Sequence, residues 1–70
     1  MNFAVIYEKT ATGYSAYLPD LPGCAAAGST LAETAELIRG AVAMHLETMR
    51  EDGDLIPVPT TVTESIAVPA

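Results

Sequence analysis

The chain lacks the cysteine and histidine residues that form stabilising disulfides or metal sites in very small domains. Its 70 residues include one cysteine, Cys24, and one histidine, His45. An internal disulfide needs two cysteines and a structural zinc site needs about four Cys or His ligands, so both are excluded. A chain of this length buries only about 60% of its unfolded surface. We therefore expect a single domain over residues 1–70 that gains stability by forming a homo-oligomer.

Basic residues are also scarce. Three Lys and Arg residues stand against nine Asp and Glu residues, for a net charge of -6. Lys9, Arg39 and Arg50 are scattered, whereas binding to nucleic acid or to an anionic membrane needs clustered cations. The charge suits a basic protein partner, although net negative charge can also serve solubility alone.

Long apolar runs are missing as well. No run approaches the roughly 20 residues of a membrane span. The N-terminus, Met1-Asn2-Phe3-Ala4, lacks the basic start and apolar core of a signal peptide. These features predict a cytoplasmic protein without membrane association, in which Cys24 stays reduced.

The first half of the chain has the composition of short strands. Residues 2–9 and 14–18 are rich in β-branched and aromatic side chains, and Gly13 between them can supply the positive φ of a hairpin turn. Residues 24–27, Cys-Ala-Ala-Ala, predict a third short strand between two glycines. The intervening segment should be a rigid turn, because Pro19 and Pro22 lack amide donors and Gly23 follows them.

A long helix follows, from about Leu31 to Glu51 or Asp52. Thr30 and Glu33 have the spacing of a capping box, in which the hydroxyl accepts from the Glu33 amide and the carboxylate reaches back. Gly53 is placed to end the helix as the C′ residue. A wide apolar face is expected to pack on the strands; it comprises Leu31, Ala35, Ile38, Val42, His45 and Met49, broadened by Leu37, Ala41, Met44 and Thr48. Gly40 lies within this helix, where close contact with a neighbouring element could offset its low helix propensity.

The last part of the chain predicts extended structure. Residues 56–59, Ile-Pro-Val-Pro, avoid the helical region, and residues 60–68 predict a final strand. The order is β-β-β-α-β, an α+β fold with a three-stranded antiparallel sheet, one long helix packed on it and a further C-terminal strand.

No catalytic, cofactor or metal site is expected. A magnesium-dependent nuclease needs three or four converging carboxylates, but the strands and their turns supply only Glu8, Asp20 and Glu64. Cys24 and His45 could approach each other if the third strand packs on the helix. A structural histidine and a small core cysteine are the stronger interpretation of this pair.

An ordered set of motifs resembles the HicB-type antitoxins. It consists of Gly13-Tyr14, Pro19-Asp20-Leu21-Pro22-Gly23-Cys24, Gly28-Ser29-Thr30-Leu31-Ala32-Glu33, the long helix, Asp52-Gly53 and Ile56-Pro57-Val58-Pro59, and it covers about residues 3–68. The resemblance implies a partial RNase H fold without RNase H activity. It also implies a partner, a HicA-type toxin, which is a small basic ribonuclease that cleaves mRNA and is blocked by the antitoxin.

The sequence departs from the family pattern in two ways. Full-length antitoxins of this family usually carry a C-terminal DNA-binding domain, and the sequence reaches Ala70 where that domain would begin, so we do not expect operator binding. Ala32 and Thr34 stand where the family often has an acidic residue and an alanine. Both changes lie at the start of the helix, where they should preserve the fold but alter the expected toxin-binding surface.

The expected toxin-contact residues are therefore Glu36, Glu47 and Glu51 of the helix, with the strand edges and the turn at Asp20 as further candidates. Pro19, Pro22 and Gly23 are expected mainly to shape the turn. The alternative function is a solitary HicB-like module that oligomerises or regulates without a toxin. An RNase H-like nuclease is a third hypothesis, which predicts Mg²⁺-dependent cleavage of an RNA–DNA hybrid.

Overall fold

A computed structural model describes residues 1–69, and three strands precede one long helix in it. The elements are β1 (Ile6–Lys9), β2 (Tyr14–Tyr17), β3 (Ala25–Gly28) and α1 (Leu31–Glu51). The strands form one antiparallel sheet in the order β1-β2-β3. The α+β class and the β-β-β-α order are thus confirmed. No helix in residues 1–69 is long and apolar enough to cross a membrane.

The β1–β2 hairpin requires glycine at position 13, but not for the positive φ that the sequence predicts. Its loop is closed by the Thr10 amide, which donates to the Gly13 carbonyl at 2.8 Å. The prediction of a positive φ at Gly13 is wrong, because within residues 1–69 only Gly23 and Gly53 have positive φ. A Cβ at Gly13 would overlap the carbonyl oxygen of Gly28 at the end of β3. Glycine is needed here for close approach of two backbones.

Two consecutive β-turns connect β2 to β3 and place a leucine in the core. The Leu21 amide donates to the Leu18 carbonyl at 3.1 Å, and the Cys24 amide donates to the Leu21 carbonyl at 3.3 Å. A proline occupies the second position of each turn, where no amide donor is needed. Gly23, at the third position of the second turn, has a φ of 84°, as a type II turn requires.

The core is small and lies between the sheet and one side of α1. Its buried apolar residues are Ala16, Leu18, Leu21, Cys24 and Ile38. Thr34 is fully buried beside them. Its hydroxyl oxygen lies within hydrogen-bond distance of two carbonyl oxygens, that of Thr30 at 2.8 Å and that of Tyr14 at 3.4 Å. These bonds satisfy a buried polar group and join the helix start to β2.

The buried apolar face of α1 is narrower than the sequence predicts. The helical pattern predicts burial of Leu31, Leu37 and Met44, but they are 48%, 46% and 72% exposed. A sheet of three four-residue strands covers only one side of a 21-residue helix, so apolar residues beyond its edge remain in solvent. Gly40 contacts no strand or helix either, since nothing lies within 4 Å of a Cβ built there.

The helix ends as its sequence predicts. Gly53 has a φ of 74°, and its amide donates to the Arg50 carbonyl at 3.2 Å. The Asp54 amide donates to the Met49 carbonyl at 2.8 Å. This pair of bonds is the Schellman motif, which satisfies carbonyls that the helix end leaves without partners.

Two predicted strand segments are not formed. Residues 2–5 join no strand and β1 begins at Ile6, because β2 ends at Tyr17 and leaves nothing for them to pair with. The strand predicted over residues 60–68 is absent too. Its β-branched composition favours pairing, but no strand of the described chain lies beside it, and a strand without a partner has no ladder.

Candidate partner-binding surface

The solvent side of α1 carries a row of exposed residues, which we call the outer face. It consists of Glu33, Glu36, Leu37, Gly40, Met44, Glu47 and Glu51. From position 33 to 51, all but Leu37 follow one another at spacings of three or four, which place side chains on one side of a helix. From Glu33 to Glu51 the row spans 18 helical steps, or about 27 Å at 1.5 Å per residue.

The four glutamates of the outer face differ in their existing bonds. A carboxylate oxygen of Glu33 accepts from the Ser29 amide at 2.9 Å, and the Thr30 hydroxyl accepts from the Glu33 amide at 3.1 Å, so this residue caps the helix. Glu36 accepts from Arg39 at 2.9 Å in an exposed ion pair, which contributes little to stability. Glu47 and Glu51 accept no hydrogen bond within residues 1–69, so their charge is available to a partner.

Apolar side chains lie between these charges. Leu37 lies one turn before Gly40 and Met44 lies one turn after it, and nothing lies within 4 Å of a Cβ built at Gly40. A partner can therefore approach the helix backbone closely at its middle. An apolar centre with a charged rim is the usual composition of a protein–protein interface.

Asp20 lies away from the outer face and already has partners. Its carboxylate accepts four hydrogen bonds, from the amides and hydroxyls of Thr60 and Thr61, at 2.9 to 3.2 Å. The Thr61 amide contributes most to lowering the pKa of the Asp20 carboxyl; burial, the second-largest effect, opposes it, and the other three hydrogen bonds lower the pKa further. The structure thus assigns Asp20 to an intramolecular bond and does not group it with the helix acids.

The remaining predicted site residues belong to the two turns and to the helix start. Pro19 and Pro22 are exposed at the second positions of the β-turns, and Gly23 follows with its positive φ. Thr30 is the N-cap of α1, with extended backbone angles. The outer face and these turns are separate features of the surface.

Within residues 1–69, neither Cys24 nor the carboxylates have the arrangement that a reactive thiol or a metal site needs. The Cys24 thiol is buried, and burial raises its pKa, whereas a nucleophilic cysteine needs a lowered one. His45 forms no hydrogen bond with it among the described residues. Residues 1–69 contain no group of three or more His, Cys, Asp or Glu side chains able to hold a metal ion.

Sequence reasoning missed Leu37, Gly40 and Met44 as surface residues. The helical periodicity that places them near one another also admits them to a wide buried face, and only the width of the sheet distinguishes the two arrangements. Thr60 and Thr61 likewise lie in a segment whose composition predicts a strand. No local pattern links them to an aspartate forty residues earlier.

The chain is similar to proteins of a described family. Residues 3–70 match the family described as HicB_like antitoxin of bacterial toxin-antitoxin system. A protein of Haemophilus phage HP1, described as an uncharacterized 14.9 kDa protein in the rep-hol intergenic region, is 35% identical over 69 residues. That match covers 99% of this chain and 52% of the phage protein, so the chain spans about half the length of this relative.

Two further proteins are matched over more of their length. A UPF0150 protein of Archaeoglobus fulgidus is 38% identical over 61 residues, which cover 83% of this chain and 88% of that protein. A chain in the solved structure of the HicA3 and HicB3 toxin-antitoxin complex matches with a TM-score of 0.73 and 32% identity. This match covers 86% of the present chain and 70% of the other.

Proposed function

Because the chain belongs to the family of HicB-like antitoxins of bacterial toxin-antitoxin systems, we propose that it binds and neutralises a small, basic, mRNA-cleaving toxin of the HicA type. The observation that carries this proposal is the match to a chain of a HicA3 and HicB3 toxin-antitoxin complex, with 32% identity over 86% of the chain. Similarity of this extent supports a common binding role as well as a common fold.

The outer face of α1 supports the proposal chemically and is its toxin-binding surface. Glu47 and Glu51 present unpaired negative charge one helical turn apart. A basic partner is steered toward such charges, which increases the rate of association. Leu37 and Met44 then supply apolar area that the partner buries on docking, and buried apolar contacts slow dissociation. Neutralisation follows when the bound antitoxin covers the RNA-cleaving site of the toxin.

The proposed action is binding without catalysis. The only cysteine is buried with a raised pKa, and the described carboxylates form no metal-binding group. We place this action in the cytoplasm, where the mRNA cleaved by such a toxin is found. These assignments follow from the antitoxin role and are tested with it.

The test uses the product of the neighbouring open reading frame, if that frame is short and basic. RNA cleavage by this product is measured with increasing amounts of the chain, together with a calorimetric titration. We expect cleavage to fall in proportion to the complex formed. Full cleavage in the presence of excess, folded chain would refute the proposal. In that case the chain would be a HicB-like module that acts without a toxin.

A further inference from the structure

Residues 55–69 form a segment, here called the extension, that leaves the body of the molecule. Its large apolar side chains are almost fully solvated: Leu55 is 92% exposed, Val58 75%, Val62 92%, Ile66 76% and Val68 78%. The molecule measures 48 × 26 × 15 Å, and its radius of gyration is 13.7 Å. A compact chain of this length has a radius of gyration of about 11 Å. The structure is therefore elongated, with an apolar segment in water.

The extension is nevertheless attached at a defined point. The four hydrogen bonds from Thr60 and Thr61 to the Asp20 carboxylate hold its beginning beside the β2–β3 turns. From this point Val62, Ile66 and Val68 fall on even positions and Thr63 and Ser65 on odd positions, with Glu64 as the one charged residue on the even side. Such alternation suits a strand with one buried face. The anchor fixes where that strand would begin.

An apolar groove of about 390 Å³ lies open near the same end of the sheet. It runs between the segment before β1 and the inner side of α1. Its walls include Phe3, Val5, Leu18, Ile38 and Val42. No residue of the extension lines it, so the extension of the same chain leaves this groove open.

A free strand edge borders the groove. β1 is an outer strand of the sheet, and the preceding residues 2–5 pair with no strand. An outer strand offers unpaired amides and carbonyls to any added strand. The chain thus carries both halves of one contact, an unpaired apolar segment and an unpaired edge beside an apolar groove.

We propose that two copies of this chain exchange residues 62–69, so that the extension of each copy adds as a strand to the β1 edge of the other and places Val62, Ile66 and Val68 in its groove. The contact is self-complementary and occurs twice in a two-fold symmetric dimer. It forms the strand that the sequence predicts over residues 60–68 and that one copy alone does not contain.

Charge favours a second copy over a basic toxin as the occupant. Glu64 is the only charged residue of the extension, and Arg39 lines the groove. The two surfaces carry few charges, and these have opposite signs. Arg39 pairs with Glu36 at an exposed position, and Glu64, on the same side of the strand as Val62 and Ile66, would be a second acceptor for it. The acidic residues that suit a basic partner lie on the outer face of α1, which the exchange leaves free.

The oligomeric state of paired variants tests the exchange. Val62→Asp with Ile66→Asp places charge on the apolar side of the extension, and Thr63→Asp with Ser65→Asp adds the same charge to its polar side. All four residues are exposed, so the fold of one copy is preserved. Sedimentation over a hundredfold range of concentration should show a dimer for the wild type and the control pair and a monomer for the apolar-side pair. A monomeric wild type, or a dimer unaffected by the apolar-side pair, would overturn the proposal.

A mixing experiment separates exchange from folding back within one copy. The Ser65→Cys variant is made without ¹⁵N, and a nitroxide spin label is attached at position 65. Cys24 is buried and protected from the reagent. The spin-labelled variant is then mixed with ¹⁵N-labelled wild type. Exchange predicts broadening of the amides of Val5 and Tyr7 in the ¹⁵N-labelled copy. Broadening seen only when label and ¹⁵N are in the same copy would show that the extension folds back, and would overturn the exchange.

Discussion

The two sides of α1 have similar apolar residues but opposite surroundings. Ile38 on the inner side is 1% exposed, whereas Leu37, the residue before it, is 46% exposed, and Met44 is 72% exposed. The inner side packs on a sheet that is only three short strands wide, and the outer side has no neighbour in the described chain. Apolar residues on one helix can thus serve two purposes, stability on the inner side and association on the outer side.

The largest expected effect comes from a substitution on the inner side of α1. Ile38→Ala should lower the free energy of unfolding by about 2–5 kcal/mol, because it leaves a cavity in a core of few residues. Leu37→Ala, one position away, should change it by only about 0.5 kcal/mol. Urea unfolding of both variants measures the difference. Equal losses would contradict the division of the helix into two sides.

The next effect concerns the outer side. Leu37→Ala with Met44→Ala should weaken toxin binding by about tenfold, because a few well-packed residues at the centre of an interface carry most of its binding energy. Calorimetry gives the affinity. Leu55→Ala, which removes an exposed leucine outside the outer face, is the matched control and should bind like wild type. A loss in the control equal to that of the pair would place the interface elsewhere.

A smaller effect is expected from a substitution at Gly40, in the middle of α1. Gly40→Ala should raise the free energy of unfolding by up to about 1 kcal/mol, because alanine is the better helix former and its Cβ would meet nothing within 4 Å. Gly13→Ala should lower it, because its Cβ would overlap the Gly28 carbonyl. Thermal unfolding of the two variants should therefore shift in opposite directions, and a destabilising Gly40→Ala would mean that this side of the helix is covered.

The most local effect depends on pH. The pKa of Asp20 is lower in the folded chain than the usual value of about 4, so its bonds to Thr60 and Thr61 persist above that value and are lost as pH falls through the lower folded pKa. Chemical shifts of the two threonine amides should change in that acidic range and stay constant from pH 5 to 7. Asp20→Asn should abolish this transition. Its persistence in the variant would assign it to another carboxyl group.

Local signals predicted the parts of the fold that local interactions determine. Thr30 and Glu33 mark the start of α1, and Gly53 marks its end, because capping bonds join residues close in sequence. Pro19 and Pro22 predict an ordered turn for the same reason. The resemblance to HicB-type antitoxins added the family and the proposed partner, which composition and periodicity alone do not contain.

Long-range geometry accounts for what could not be predicted. The anchoring of Thr60 and Thr61 by Asp20 joins residues forty apart, and the overlap between Gly13 and Gly28 depends on how β2 meets β3. The exposure of Leu37 and Met44 depends on the width of the sheet. The missing strand at residues 60–68 shows that strand composition predicts the capacity to pair but not the partner.

The central claim is that the outer face of α1 binds a basic toxin, and the association rate of a charge-reversed variant tests it most directly. Glu47→Lys is compared by stopped flow with wild type and with Ala11→Lys combined with Thr12→Lys, which makes the same change in net charge in the exposed β1–β2 loop, away from α1 and from the exchanged segment. At low salt we expect the helix variant to associate on the order of tenfold more slowly, and the difference to shrink as salt is added. The control should stay within about threefold of wild type, because more distant charges steer less strongly. Equal rates for the two variants would contradict the claim.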